Sequence, residues 1–365
     1  MARTWLRAAA VGAAALALAA CGSGGQEAQS RPARGIAVDV GGRLAVLDGL
    51  DSEPRIVGER PPDTELLDGY HLAGARQLDR GLTVGIRQDT AMVVSTRDPM
   101  RAVMVGPAAA LFPGTDGRRV WTVTEESPDT ACAGQQLPAT VRARYTAADH
   151  DTEGRPARRT VTLPCGFQPV GETVEGLVAE QTVGDRQGPS GAVARTRVVL
   201  MDRDGAAAAR TVADSGTVLG AAGRRLLWRS DDCADASCTQ LYDTLSHSSA
   251  PAPTCTGGRP VGRGVLDPTG RWYATLVRGD GASRLAVLDL DQRVCRDAGP
   301  VTGRPQDGDD LGGALTVGWS GGTLLVLDAG DGSLRTADAR TGATGQRSHR
   351  LELGDGAQVW GALPA

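Results

Sequence analysis

The chain contains no lysine and no asparagine: all 39 of its basic residues are arginine. The absence of asparagine excludes N-glycosylation sequons. Aromatic residues make up only 3% of the 365 positions, and the formal net charge is −4, which argues against a general polyanion such as nucleic acid as partner. No stretch reaches 18 consecutive apolar residues, so no membrane-spanning helix is expected. No window after residue 34 keeps a 3.6-residue apolar period, so helices should be almost absent.

Glycine is abundant instead, at 50 residues, with 20 prolines and seven cysteines. The N-terminus has its own grammar. Arg3 and Arg7 precede an apolar run over residues 8–20 that ends Leu18-Ala19-Ala20-Cys21-Gly22. Thirteen helical residues cover about 20 Å, short of the roughly 30 Å hydrocarbon core, which marks residues 1–20 as a signal peptide. Its end resembles the lipobox of bacterial lipoproteins. That resemblance implies lipidation of Cys21, cleavage before it, and anchoring on the outer face of the cytoplasmic membrane. Residues 21–34 then form the lipidated Cys and a tether of roughly 20 Å reach, and residues 35–365 form the folded domain.

The remaining cysteines are Cys132, Cys165, Cys233, Cys238, Cys255 and Cys295, an even number suited to disulfides in an oxidising compartment. Six cysteines allow fifteen connectivities. Local spacing suggests 233–238 as a small loop and 132–165 around a strand-turn-strand unit, leaving 255 with 295. Neither paired Cys-x2-Cys nor nearby His supports a metal, so none is expected.

From Gly35 onward, apolar segments of strand length alternate with Gly, Pro and Asp turns. Arg43-Leu-Ala-Val-Leu-Asp48 recurs as Arg284-Leu-Ala-Val-Leu-Asp289, and related segments end at Asp98, Asp149, Asp202, Asp243 and Asp338. These Asp residues lie 50, 51, 53, 41, 46 and 49 residues apart. Such a period with short strands is the signature of a β-propeller, and seven repeats imply seven four-stranded blades. An Asp at each strand end can cap backbone N–H groups two residues on. The start of the domain supplies three strands only. The orphan segment 358–364 is therefore expected to close the ring as the innermost strand of the first blade, beside Ile36–Val40. Trp228, Trp272, Trp319 and Trp360 recur near the first or second strands, where packing between blades accounts for them.

With its lipobox, its Leu-Ala-Val-Leu-Asp strands and the turn Asp338-Ala-Arg-Thr-Gly342, the chain resembles actinobacterial lipoproteins with WD-repeat-like or YVTN-like propellers. It departs from strict WD repeats in having neither a Trp-Asp nor a Gly-His dipeptide. The resemblance implies a non-enzymatic binding or scaffolding role toward an envelope protein or cell-wall component, by a monomer without cofactors. The alternative is an exported propeller enzyme, a lactonase-like hydrolase or quinoprotein-like oxidoreductase.

Candidate chemistry is sparse. Gly318-Trp-Ser320-Gly-Gly322 matches a nucleophile-elbow pattern, followed by Asp328 or Asp338 and by His349, but a strand rather than a helix follows Ser320. His71, His150, His247 and His349 share no spacing. The loops 202–205, 307–310 and 328–331 are Asp/Gly-rich without the calcium-loop pattern. Sorting charges by strand direction places Asp231, Asp232, Asp235, Asp307, Asp309 and Asp310 on the face of the loops after second and fourth strands. Arg97, Arg101, Arg118, Arg119, Arg155, Arg158, Arg159, Arg224, Arg225 and Arg271 fall on the other. The acidic, disulfide-braced face is expected to meet the partner, and the Arg-rich face to turn toward anionic lipid headgroups.

Overall fold

Strands with long unbroken apolar runs, such as Thr323-Leu-Leu-Val-Leu-Asp328, must bury both faces, and the structure does so by standing sheets side by side around a ring. The computed structural model describes residues 33–40, 43–53, 55–56, 73–78, 82–95, 102–188, 191–202, 210–231, 238–279, 281–303, 311, 315–328, 330–347 and 359–364. Membrane-spanning helices are not found among them. One short helix, α1 (Pro128–Ala131), interrupts the strands.

The strands fall into seven four-stranded antiparallel sheets. Six are built from consecutive strands. Blade II contains β4 (Ala73–Leu78), β5 (Leu82–Arg87), β6 (Thr90–Ser95) and β7 (Ala102–Pro107). Blade III contains β8 (Ala110–Pro113), β9 (Arg119–Glu126), β10 (Arg144–Asp151) and β11 (Arg159–Thr162). Blade IV contains β12 (Phe167–Glu172), β13 (Leu177–Gly188), β14 (Gly191–Leu200) and β15 (Arg210–Ala213). Blade V contains β16 (Thr217–Ala222), β17 (Arg225–Arg229), β18 (Thr239–Asp243) and β19 (Ser248–Pro251). Blade VI contains β20 (Arg259–Leu266), β21 (Trp272–Arg278), β22 (Ser283–Asp289) and β23 (Val294–Val301). Blade VII contains β24 (Leu315–Ser320), β25 (Thr323–Asp328), β26 (Ser333–Asp338) and β27 (Thr344–Arg347).

The blade count is corrected on one point: six blades, not seven, are built from consecutive strands, and the remaining sheet is assembled from both ends of the chain, as expected of segment 358–364. That sheet, blade I, runs in the order β28 (Val359–Pro364), β1 (Ala33–Val40), β2 (Arg43–Leu47), β3 (Arg55–Ile56). Ala33 pairs with Pro364, Arg34 with Leu363, Ala37 with Gly361 and Val38 with Val359. β1 thus begins two residues before the expected boundary at 35. β28 also packs against β24 and β4, and the first strands β4, β8, β12, β16 and β20 pack in succession. The ring axis therefore runs past the first strand of each blade.

Sandwiching explains the burial pattern. In β25, Leu324 to Leu327 are all buried, as are Leu285 to Leu288 of β22, because neighbouring blades cover both faces. The Trp272 and Trp319 rings stack across blades VI and VII with centroids 6.5 Å apart, amid Leu276, Leu285, Leu315 and Leu324. Both indoles are nearly fully buried, which makes them core rather than ligand platforms.

Within every blade, the first-to-second and third-to-fourth turns share one end, here the upper end. The second-to-third turns and the blade-to-blade links share the lower end. The repeating Asp residues terminate third strands at the upper end. Asp243 accepts from the Leu245 N–H at 2.9 Å, and Asp289 from those of Asp291 and Gln292 at 3.1 and 2.9 Å. Asp338 accepts from Arg340 and Thr341 at 2.9 and 2.7 Å. In blade III the cap passes to Asp151, which holds the Glu153 N–H at 2.8 Å, while Asp149 turns to Arg119. Asp98 lies outside the described residues.

Because β28 covers the inner edge of β1, deleting residues 359–365 is expected to cost several kcal/mol and to open an edge prone to aggregation. Thermal unfolding of the truncated protein checks this, and an unchanged Tm contradicts it.

Candidate functional site

At the lower end, blades III and IV depart most from the repeat. The β9–β10 connection runs from Ser127 to Ala143 and contains α1. β13 and β14 extend past their neighbours as a two-stranded ribbon, paired from Gly184–Arg195 to Gly188–Gly191. Asp185 at the ribbon accepts from the Ala139 and Thr140 N–H groups at 2.8 and 3.3 Å and from the Thr140 hydroxyl, so the long loop is fastened to the ribbon. The Cys132–Cys165 disulfide, Cα–Cα 6.1 Å, ties the same loop to the link between the two blades. Closing a 33-residue separation corresponds to about 3.5–4 kcal/mol in the chain-entropy account.

Cys255 and Cys295 are also joined, with Cα–Cα 5.3 Å. Cys238 is disulfide-bonded, while Cys233 lies outside the described residues. One expected placement needs correcting. Cys295 pairs with Leu288, one step from the upper turn of blade VI, so this bridge does not lie wholly with the lower loops.

Of the acidic residues expected to form the binding face, Asp231 is described. It accepts from the Thr217 hydroxyl at 3.0 Å at the lower end of blade V. Asp232, Asp235, Asp307, Asp309 and Asp310 lie outside the described residues, as does Cys21. A residue that the sequence reading missed stands beside Asp231. Glu180 of β13 accepts the Val218 N–H at 2.7 Å and so links blade IV to blade V. Burial pushes its carboxyl above the ordinary value of 4.5; the Val218 N–H and Arg263 oppose the rise, and Asp231 adds to it. The signal was legible, since Glu180 is a lone charge directly after Leu177-Val178-Ala179 in a buried strand.

Five of the ten arginines sorted to the upper end are paired with acids there, so that end is less cationic than sorting by loops suggested. Arg119 contacts Asp116 at 2.8 Å, Asp149 at 2.7 Å and Glu172 of the next blade at 3.3 Å. Arg224 pairs with Asp243 and Arg271 with Asp289, both at 3.3 Å. Arg225 reaches Asp291 across blades, and Arg155 pairs with Asp151 and Glu153. The sorting overlooked the third-strand Asp residues, which end at this same edge. Arg97 and Arg101 lie outside the described residues.

The catalytic patterns dissolve in three dimensions. Ser320 pairs with Thr323 in a tight hairpin rather than heading a helix. Asp328 is buried and accepts the Thr302, Gly303 and Gly330 N–H groups at 2.8, 3.0 and 2.9 Å, which commits it to the blade VI–VII link. Asp338 caps its own turn, and His349 and His71 lie outside the described residues. His150 is buried against the Thr122 hydroxyl at 3.2 Å, and burial lowers its pKa. A Cβ on Gly106 would approach its ring to 3.0 Å, so no ligand has room there. Among the described residues, no group of three or more His, Cys, Asp or Glu could hold a metal.

No protein-family model matches this chain, and no curated protein does. Solved structures do resemble it. The acylaminoacyl peptidase of Pyrococcus horikoshii is 12% identical over 81% of this chain and 46% of its own, with a TM-score of 0.54. TolB of Acinetobacter baumannii is 13% identical over 79% of this chain and 65% of its own, TM-score 0.41. The β-propeller domain of Cps50 (Swd1) from Myceliophteria thermophila is 12% identical over 78% and 88%, TM-score 0.45. This chain therefore spans less than half of the peptidase chain, and at these identities the likeness is one of fold alone.

Two outcomes follow. Replacing Arg119 by Met leaves Asp149 and Glu172 buried without their cation, and should cost about 3–5 kcal/mol in denaturant unfolding. Glu180 behaves oppositely. Its raised pKa means that the folded state holds the proton more tightly, so stability falls as pH rises from 4.5 through the folded-state value. Glu180→Gln keeps an acceptor for the Val218 N–H and should flatten that slope in Tm measured between pH 4 and 8; a slope equal to that of the wild type rejects the assignment.

Proposed function

We propose that this protein is a lipid-anchored, extracytoplasmic β-propeller that binds or scaffolds a protein or cell-wall component of the envelope through its lower end, acting as a monomer without catalysis. The observation that carries this reading is the loop 127–143 fastened to the β13–β14 ribbon by Asp185 and by the Cys132–Cys165 bridge. Loops of ordinary blades have no need of such bracing, whereas a binding loop held by a disulfide presents its contacts with less ordering cost on association.

The anchor rests on Arg3, Arg7 and the run ending Leu18-Ala19-Ala20-Cys21. The paired cysteines suit an oxidising compartment outside the cytoplasm. Two or more acyl chains hold a protein to a bilayer where one does not. Salt bridges across the upper end argue against electrostatic attachment to lipid by that face, which leaves the acyl chains as the membrane contact.

Mass spectrometry of the mature N-terminus should find acylated Cys21; unmodified Cys21 in protein released to the medium rejects the anchor. A photo-crosslinking residue at Gln136 of the braced loop should yield a discrete adduct in intact cells, and one at Arg155 of the upper end should not. Adducts at Arg155 alone would place the partner on the wrong face for this reading.

A further inference from the structure

Blade VI carries an open cleft of about 320 Å³ at its lower end, lined by Gly257, Gly279, Ala282, Ser283, Arg284, Asp297 and Pro300. None of these residues takes part in the braced loop of blades III and IV. The cleft owes its existence to small residues. Gly257 takes a positive φ of 76°, and a Cβ on Gly279 would lie 2.9 Å from the Gly257 carbonyl, so the two turns meet only because side chains are missing.

Arg284 is the one cation in this lining, and it is held in place rather than free to collapse. Its guanidinium lies 3.3 Å from Asp297 and donates to the Thr256 carbonyl. Asp297 is itself oriented by the Gly299 N–H at 2.8 Å. The Cys255–Cys295 bridge steadies both walls at once, because Thr256 and Gly257 follow one cysteine and Asp297 lies two residues beyond the other. Blade IV holds a related pair. There Arg197 and Asp214 also join the third strand to the fourth, at 3.3 Å, with Asp214 84% exposed against 55% for Asp297.

The volume is at the small end of ligand pockets. Opposite charges side by side match a ligand that carries both charges close together. A free α-amino acid does so, with carboxylate and ammonium on one carbon. The rest of the lining is Gly, Ala, Ser and Pro, which suits a small neutral side chain.

We propose that this cleft binds a small neutral α-amino acid as its zwitterion, with the carboxylate on Arg284 and the ammonium on Asp297. The site is independent of the partner-binding reading, and either can fail without the other.

The test is calorimetric titration of the mature full-length protein with glycine and L-alanine, then with N-acetyl-L-alanine and L-alaninamide, each of which lacks one charge. Saturable binding of the zwitterions is expected, weakened at least about tenfold for both capped forms and in Arg284→Gln. Since Arg284→Gln could disturb the strand pair, Ala282→Trp is the second variant: it fills the cleft from an exposed turn, leaves the ion pair intact, and should abolish binding with an unchanged circular dichroism spectrum. Absence of saturable binding by either zwitterion up to about 10 mM overturns the proposal. So does equal binding of N-acetyl-L-alanine, or undiminished binding in Ala282→Trp.

Discussion

A four-stranded sheet that is apolar on both faces has no stable existence alone, and this constraint governs the molecule. Leu324–Leu327 and Leu285–Leu288 leave water only when a blade stands on either side. A row of such blades always has two unsatisfied ends, and closing the ring removes them. The pairing of β28 with β1 accomplishes the closure with strands from opposite ends of the chain, so the termini of the domain become one sheet. Stability is thereby shared: a defect in blade I exposes the faces of blades II and VII as well.

Polar contacts then fix how neighbouring blades meet, a matter that nondirectional apolar packing leaves loose. Arg119 reaches Glu172 from blade III to blade IV, Glu180 takes the Val218 N–H from IV to V, and Arg225 reaches Asp291 from V to VI. Asp328 holds the Thr302 and Gly303 N–H groups at the link from VI to VII. Each tie is partly or fully buried. Breaking one side of such a tie strands the other, so these contacts specify the arrangement more than they add to stability. Ion pairs cross the upper end, while extra chain is inserted at the lower end of blades III and IV.

Much of this was legible from local chemistry. The Asp period located third-strand ends because a carboxylate that caps its own turn works within a few residues, as Asp243, Asp289 and Asp338 do. The 132–165 pair follows from spacing around a strand-turn-strand unit, and 255–295 follows by elimination. Which charges meet was not legible. Arg119 has one acid three residues away, Asp116, but its other partners, Asp149 and Glu172, stand 30 and 53 residues away.

The sequence by itself determined strand-rich blades, their period, the turn caps and the closing segment, because periodicity and turn chemistry act over short stretches of chain. Only the tertiary structure decided which upper-end arginines meet acids, and that Asp185 fastens a loop 45 residues away. It also decided that Arg284 and Asp297 border a cleft walled by Gly257 and Gly279. Such meetings depend on how separate stretches of chain pack against one another, which periodicity and turn chemistry do not reach.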